Sequence, residues 1–446
     1  MEKPVYYFDV EIKKRELLSR LLLAAMLAER GCHTFVGPRA RRKEQFKRLS
    51  LTSGVIVKKS IPAHILDQVT DLADAGFGCI AMDEEGLLVD NLERFSEVRH
   101  SPQTVNLAKK IFLWGEKQRA FMRQKYLLDE SKFLTTGNAR VLLWMNRYYG
   151  YFDESAERIS NKYGDFILIV SNFASYTNRE MYERRNYEKG LFDKKENKFA
   201  YDEKIKKLEF IYNSFVSIVK KLAADGNRIV FRPHPADNIK YVEREFKGCE
   251  NVFVCATGEV TPWILASSAL IHNCCTTAIE AAYMNKKVVS YCPDGVARYA
   301  LDSVNNVGHI ANTVDEVINF LGDEYGVADG DMTINGFLRQ DLSLDEICSE
   351  FMSVQFMSDF DVNSNIVSEK FYNLTGSIRY SFRAFRESLI IDKQERIVKK
   401  TMRDKHPFTR PDEINRFLEC LMDSGVVSKK ITALPVKYNL FYIHSD

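Results

Sequence analysis

The residues with the strongest chemical signature are three consecutive carboxylates, Asp83-Glu84-Glu85, preceded by the apolar run Phe77 to Met82 and closed by Gly86. Like charges this close cannot all ionise at their ordinary pKa, so at least one carboxyl should rise toward the range of a general base. A metal-binding or merely solvated acidic turn is the alternative reading. A second group is Arg232-Pro233-His234-Pro235. Its prolines hold the backbone extended and remove competing N–H donors, so the imidazole projects from a rigid turn. Arginine and histidine both donate to phosphate. The third group starts with the apolar stretch Ser268 to Ile271, turns through His272, Asn273, Cys274 and Cys275, and resumes at Thr276-Thr277 as an alanine-rich helix. A helix start carries unpaired N–H groups and the positive end of the macrodipole, which hold a phosphate without a metal. Threonines there also serve as plain helix caps.

These groups need strands that end at them. Val5 to Ile12 reads as a strand, Lys13 to Arg30 as an amphipathic helix stopped by Gly31, and Cys32 to Val36 as a second strand. The alternation continues with strands at Gly54 to Val57, Phe77 to Met82, Ile111 to Trp114 and Phe133 to Thr135, and a helix at Pro62 to Ala75. It predicts a parallel sheet covered by helices on both faces, and such sheets bind ligands at their strand ends. The turn Thr136-Gly137-Asn138-Ala139-Arg140 belongs on the same rim, which makes Asn138 and Arg140 candidate acceptor or donor contacts. A first domain ends near residue 150. After a helical connection, Phe166 to Val170 ends in Ser171-Asn172, two more candidate contacts. Thr177 to Ala200 reads as an exposed loop or lid, and Lys204 to Ala224 as a helix. Strands at Arg228 to Phe231, Asn251 to Cys255, Ser268 to Ile271 and Lys287 to Tyr291 complete a second Rossmann-like domain, 151–325. From about residue 326 strands are not expected, and 326–446 reads as an accessory helical extension that packs back over the first domain or carries an oligomer or membrane contact.

Composition narrows the classes. A chain of 446 residues, 45% apolar, holds two or three domains with full cores. The formal charge of +2 gives no general pull toward nucleic acid, so no nucleic-acid partner is expected. Nine cysteines without paired CxxC spacing fit a reducing compartment, and neither a signal peptide nor a membrane-length apolar run is read, so a soluble, cytoplasmic protein is expected. The basic run from Arg39 to Arg48 reads as a solvated helix face or, alternatively, as a peripheral contact with the inner face of a membrane or with a lipid-linked acceptor phosphate.

In this order, Asp83-Glu84-Glu85-Gly86, Thr136 to Arg140, Arg232-Pro233-His234-Pro235 and His272 to Ala281 resemble a bacterial surface-carbohydrate biosynthesis family. More distantly they resemble GT-B glycosyltransferases that use CMP-activated acidic sugars, the β-Kdo transferases and the bacterial sialyltransferases. The resemblance covers roughly residues 1 to 325. It implies a GT-B fold, two Rossmann-like domains facing a central cleft, with 1–150 on the acceptor side and 151–325 on the donor side. It further implies Glu84 as catalytic base with Asp83 and Glu85 beside it, His234-Pro235 on the CMP portion, and Thr276 and Thr277 on the donor phosphate, with Arg232, His272 and Asn273 in the same donor site. No metal and no cofactor are implied. Cys274-Cys275 departs from the pattern, which more often carries Gly or Ser there.

The expected function is transfer of a Kdo-like or sialic-like ulosonic acid from a CMP-sugar to a hydroxyl of a glycan or lipid-linked glycan acceptor. Three rivals stand beside it: a CDP-polyol phosphotransferase of the teichoic-acid type, which would need two essential histidines, a nucleotide-sugar 2-epimerase, and a non-catalytic nucleotide-sugar-binding scaffold of a polysaccharide assembly complex.

Overall fold

The computed structural model of the chain describes residues 2–84, 92–145, 148, 150–188, 190–234, 236–293, 302–322, 343–390, 400, 403, 405 and 407–446. Six parallel strands carry the first unit: β1 (Lys3–Val10), β2 (His33–Pro38), β3 (Gly54–Lys58), β4 (Phe77–Met82), β5 (Lys110–Leu113) and β6 (Phe133–Thr135). Each is a short apolar run between turns, and β3 and β4 are buried along their whole length, as strands covered on both faces must be. They lie in the order β2-β1-β3-β4-β5-β6, so the chain reverses direction across the sheet between β1 and β3.

The second unit is a six-stranded sheet of β7 (Ile167–Val170), β8 (Ile229–Arg232), β9 (Val252–Val254), β10 (Ala269–His272), β11 (Lys287–Tyr291) and β12 (His309–Ala311), parallel throughout. Its order, β12-β11-β10-β7-β8-β9, is that of a dinucleotide-binding Rossmann sheet and puts the switch point between β7 and β10.

Two expectations need correction. The stretch from Thr177 to Ala200 is not an open loop. It contains the helix Arg179–Glu188 and the first turns of the helix Lys195–Ala224. Its polar sequence hides helical periodicity, but ion pairs four residues apart, Arg179 with Glu183, Arg184 with Glu188 and Lys198 with Asp202, fit a solvent-facing helix.

The tail packs back on the first unit, as one of its expected roles had it, but it is not helical alone. Asn335–Asp446 clusters with Met1–Tyr151, while Phe152–Ile334 forms the other unit. Helices Leu344–Met352, Glu369–Ser388 and Pro411–Asp423 are present, but the tail also supplies β13 (Met357–Ser358), β14 (Ile431–Lys437) and β15 (Leu440–Ser445). β13 pairs antiparallel with β1, and the β14–β15 hairpin adds antiparallel to β2. The cause is the helix Lys13–Glu29, whose run Leu21 to Ala28 is buried. An apolar surface all round a helix needs cover on every side. Ile414, Phe417, Leu418 and Leu421 of the tail helix, with Ile431, Phe441 and Ile443 of the hairpin, share its core.

Candidate functional site

In the first unit the carboxyl end of β4 is held by four clamps. Arg20, on the helix Lys13–Glu29, donates to the Met82 carbonyl at 2.9 Å and lies 3.1 Å from the Glu84 carboxylate. Trp114 Nε1 and Asn138 Nδ2 both donate to the Asp83 carbonyl at 2.7 Å. Arg99 Nε stands 3.6 Å from the Asp83 carboxylate. Asn138 is fully buried, and its Oδ1 takes the Arg140 N–H at 2.7 Å. Both ends of Asn138 are therefore used inside the protein. It positions the acidic turn.

Burial dominates the electrostatics. Glu84 is 1% exposed and Arg20 0%. Desolvation pushes the Glu84 carboxyl up to about 7: Arg20 and Arg140 pull it down, while Glu16 and Asp83 push it further up. Asp83 is raised by the same burial, against the pull of Arg99 and Lys59. Arg15 is lowered, first by burial and then by Arg140. Lys59 is lowered by burial, with Glu16, 3.5 Å away, opposing. Three carboxylates, Glu16, Asp83 and Glu84, are thus answered by Arg15, Arg20, Lys59, Arg99 and Arg140. The structure brings Asp83, Glu84, Asn138 and Arg140 together, whereas Glu85 lies outside the described residues. Arg15, Glu16, Arg20, Lys59 and Arg99 were missed from sequence. The available signal was Arg15, Glu16 and Arg20 on a helix otherwise destined for the core.

In the second unit the ends of β7, β8 and β10 form a second constellation. Asp237 is its hub. Its carboxylate accepts from Ser171 Oγ, from the His234 N–H at 2.8 Å and from Thr177 Oγ1 at 3.2 Å. Burial still raises its pKa against those bonds. His234 Nδ1 accepts the Ala236 N–H at 3.1 Å, so the neutral ring carries its proton on Nε2, as a donor. Ser171 is buried in this network, and its Oγ also accepts the His234 N–H at 3.1 Å. Asn172 is exposed at the switch point, with its Nδ2 3.4 Å from the Cys274 carbonyl. Pro235 lies outside the described residues.

The other expected donor residues separate by exposure. Arg232 donates to the carbonyls of Thr257 (2.8 Å) and Gly258 (2.6 Å) and stacks over Trp263, with 5.4 Å from guanidinium to ring centre. It therefore braces the loop after β9. His272 is 0% exposed, and its Nε2 lies 3.4 Å from the Val307 carbonyl. Burial lowers its pKa to about 4, so it is neutral and enclosed. Asn273 is buried and donates to the Tyr291 carbonyl at 2.8 Å, binding the turn to β11. Thr276 is exposed and its side chain caps nothing, so the plain capping reading does not describe it. Thr277 Oγ1 lies 3.4 Å from Cys275 Sγ. Cys274 adopts φ of 49°, the left-handed region that favours glycine. Asn305 holds it there, accepting the Cys274 N–H at 2.7 Å.

Two Rossmann-like sheets, parallel apart from the strands that the tail adds to the first, with polar residues at their carboxyl ends define the GT-B fold class. No family model and no curated protein matches the chain. Solved structures with this fold do. The UDP-GlcNAc 2-epimerase of Methanocaldococcus jannaschii is similar at 10% identity with a TM-score of 0.51, over 79% of this chain and 99% of the other. A putative UDP-N-acetylglucosamine 2-epimerase from Listeria monocytogenes is similar at 10% identity and a TM-score of 0.50, over 79% and 96%. At such identity the likeness is one of fold.

Proposed function

We propose that the protein is a glycosyltransferase that moves an acidic, Kdo-like or sialic-like sugar from a CMP donor to a hydroxyl of a glycan or lipid-linked glycan. The observation that carries this reading is a carboxyl, Glu84, held near neutrality among an excess of cations at the end of β4. A base with a pKa of about 7 removes a hydroxyl proton efficiently at neutral pH. Surrounding arginines and lysine suit a substrate that is itself an anion.

In this reading Glu84 takes the acceptor proton as the acceptor oxygen bonds to the anomeric carbon. The bond from that carbon to the CMP phosphate breaks, and CMP leaves with the electron pair. His234 Nε2–H, Thr276 and Asn172 meet the phosphate charge on the donor side, and Ser171, Asp237 and Arg232 hold them in place. The 1–150 segment takes the acceptor role and 151–325 the donor role.

The direct test is transfer from a CMP-sugar by wild type and Glu84→Gln. Loss of transfer with CMP binding intact supports the enzyme. An unchanged function of Glu84→Gln points to the scaffold. A second reading, a 2-epimerase of UDP-sugars, is favoured by the names of the two solved structures of similar fold. It predicts epimerisation of UDP-GlcNAc and no turnover of a CMP-sugar.

A further inference from the structure

The helix Glu369–Ser388 has two opposite faces. One docks on the first unit. Tyr372 and Gly376 are buried, the Tyr372 hydroxyl donates to the Thr409 carbonyl at 3.1 Å and accepts the Asn439 N–H at 2.9 Å, and buried Glu387 pairs with Arg403 at 2.9 Å. The other face is apolar and turned to solvent. Phe371, Leu374, Ile378, Phe382, Phe385 and, just past the helix, Leu389 are each between 57% and 62% exposed.

Their spacing of three or four residues sets all six on one line. Phe371 and Phe382 stand eleven residues apart, a repeat that keeps the stripe nearly straight along the helix. Together they expose on the order of 600 Å² of apolar surface, the upper end for a soluble monomer. Cations border the stripe: Arg379, Arg383 and Arg386 are exposed along one side, Arg383 with Glu387 3.7 Å away, and Lys370 on the other. At 100° per residue the two acids of the helix, Glu369 and Glu387, fall away from it.

We propose that this face lies on an anionic lipid surface, its phenylalanines and leucines sunk to the headgroup boundary and its arginines among the lipid phosphates. Charge complementarity selects this occupant. When two copies of the helix are laid together, the described residues that border the stripe meet cations or serines, and the one carboxylate within reach, Glu387, already faces Arg383 of its own helix at 3.7 Å. The contact is peripheral, since no helix among the described residues is long and apolar enough to cross a membrane. It differs from the contact expected at Arg39 to Arg48, where Arg39 already faces Glu11 at 3.6 Å and Lys43 pairs with Asp71 at 2.9 Å.

The experiment sediments the full chain with vesicles of phosphatidylcholine alone and of phosphatidylcholine with about one-third phosphatidylglycerol, in about 0.1 M and 0.5 M salt. The protein is expected to bind the anionic vesicles at least tenfold more tightly, and less tightly in high salt. Phe382→Glu with Phe385→Glu should abolish binding without changing the melting temperature, because both side chains are exposed. Arg379→Gln with Arg386→Gln should weaken it about thirty-fold. Equal binding to neutral and anionic vesicles, or unchanged binding by the phenylalanine variant, overturns the proposal. So does an absence of vesicle binding, with or without a dimer in light scattering that the same variant dissolves.

Discussion

Glu84→Gln tests the electrostatics of the first unit independently of any substrate, because stability reports the same perturbation that catalysis would use. Burial holds the Glu84 carboxyl at about 7, against 4.5 in the unfolded chain. The fold therefore keeps a proton that the unfolded chain releases, and stability falls with rising pH. The contribution is whole below the unfolded pKa and is lost as pH climbs through 7. At about 1.4 kcal/mol for each tenfold change in acidity, the loss across that window is about 3 kcal/mol. Glutamine is nearly isosteric with the protonated acid and does not titrate, so the variant lacks this slope. Denaturant unfolding of both proteins at pH 5 and pH 8.5 measures the difference, since the other groups titrate alike in each. Wild type should lose about 2–3 kcal/mol relative to Glu84→Gln between the two conditions, part of the contribution being already gone at pH 5. In parallel, wild-type transfer should rise through pH about 7, and the variant should lose about 10²- to 10⁴-fold in rate. Parallel stability curves would refute the argument, leaving Glu84 an ordinary ionised partner of Arg20 with no claim to act as a base.

Further outcomes follow from the second unit and from the clamps. His234→Ala should weaken CMP binding about tenfold in calorimetry, the loss of one hydrogen bond to a charged group, and an unchanged affinity removes His234 from the donor site. His272→Ala should lower the melting temperature but leave CMP affinity alone; equal loss of activity at His234 and His272 would favour the phosphotransferase. Asn138→Ala removes two buried hydrogen bonds and should cost about 1–3 kcal/mol in denaturant unfolding, with transfer reduced through the displaced Asp83-Glu84 turn. In a thermal-shift panel of CMP, CDP, UMP and UDP, CMP should shift most, by the equivalent of about 2.7 kcal/mol at 100 times its dissociation constant. A larger shift with UDP would favour the epimerase.

The parallel strands were legible because each is a short apolar run with a turn on either side: Phe77 to Met82 and Phe133 to Thr135 appear with those very bounds. Polar strand ends were legible too, since Asp83, Ser171 and His234 stand at breaks in hydrophobicity. What a residue does at such an end was less so. Arg232, His272, Asn138 and Asn273 look in sequence like ligand groups, yet backbone carbonyls of residues distant in the chain occupy them, and no local pattern reports those partners. The charged stretch from Thr177 to Ala200 lacked an apolar period because solvent surrounds much of it. The tail failed for the opposite reason. Its strands join a sheet begun some four hundred residues earlier, and sequence spacing carries no trace of that pairing.

One sequence feature, passed over in reading Lys13 to Arg30 as amphipathic, called for a covering element, and it links the fold to the site. The run Leu21 to Ala28 is too apolar for a helix with one face in water, so another element has to cover it. The tail helix and hairpin do so, and the helix they cover also carries Arg15, Glu16 and Arg20, which set the charge around Glu84. A segment that looks accessory in sequence thereby packs against the helix whose Arg20 and Glu16 act on the Glu84 carboxyl. Phe417→Ala, deep in that shared core, should cost about 3–5 kcal/mol. Because the helix is then less firmly held, it should also move the midpoint of the pH–rate profile away from 7. A dispensable extension would show neither effect. A variant that loses stability but keeps the wild-type pH midpoint would confine the tail to packing and cut its connection to the chemistry.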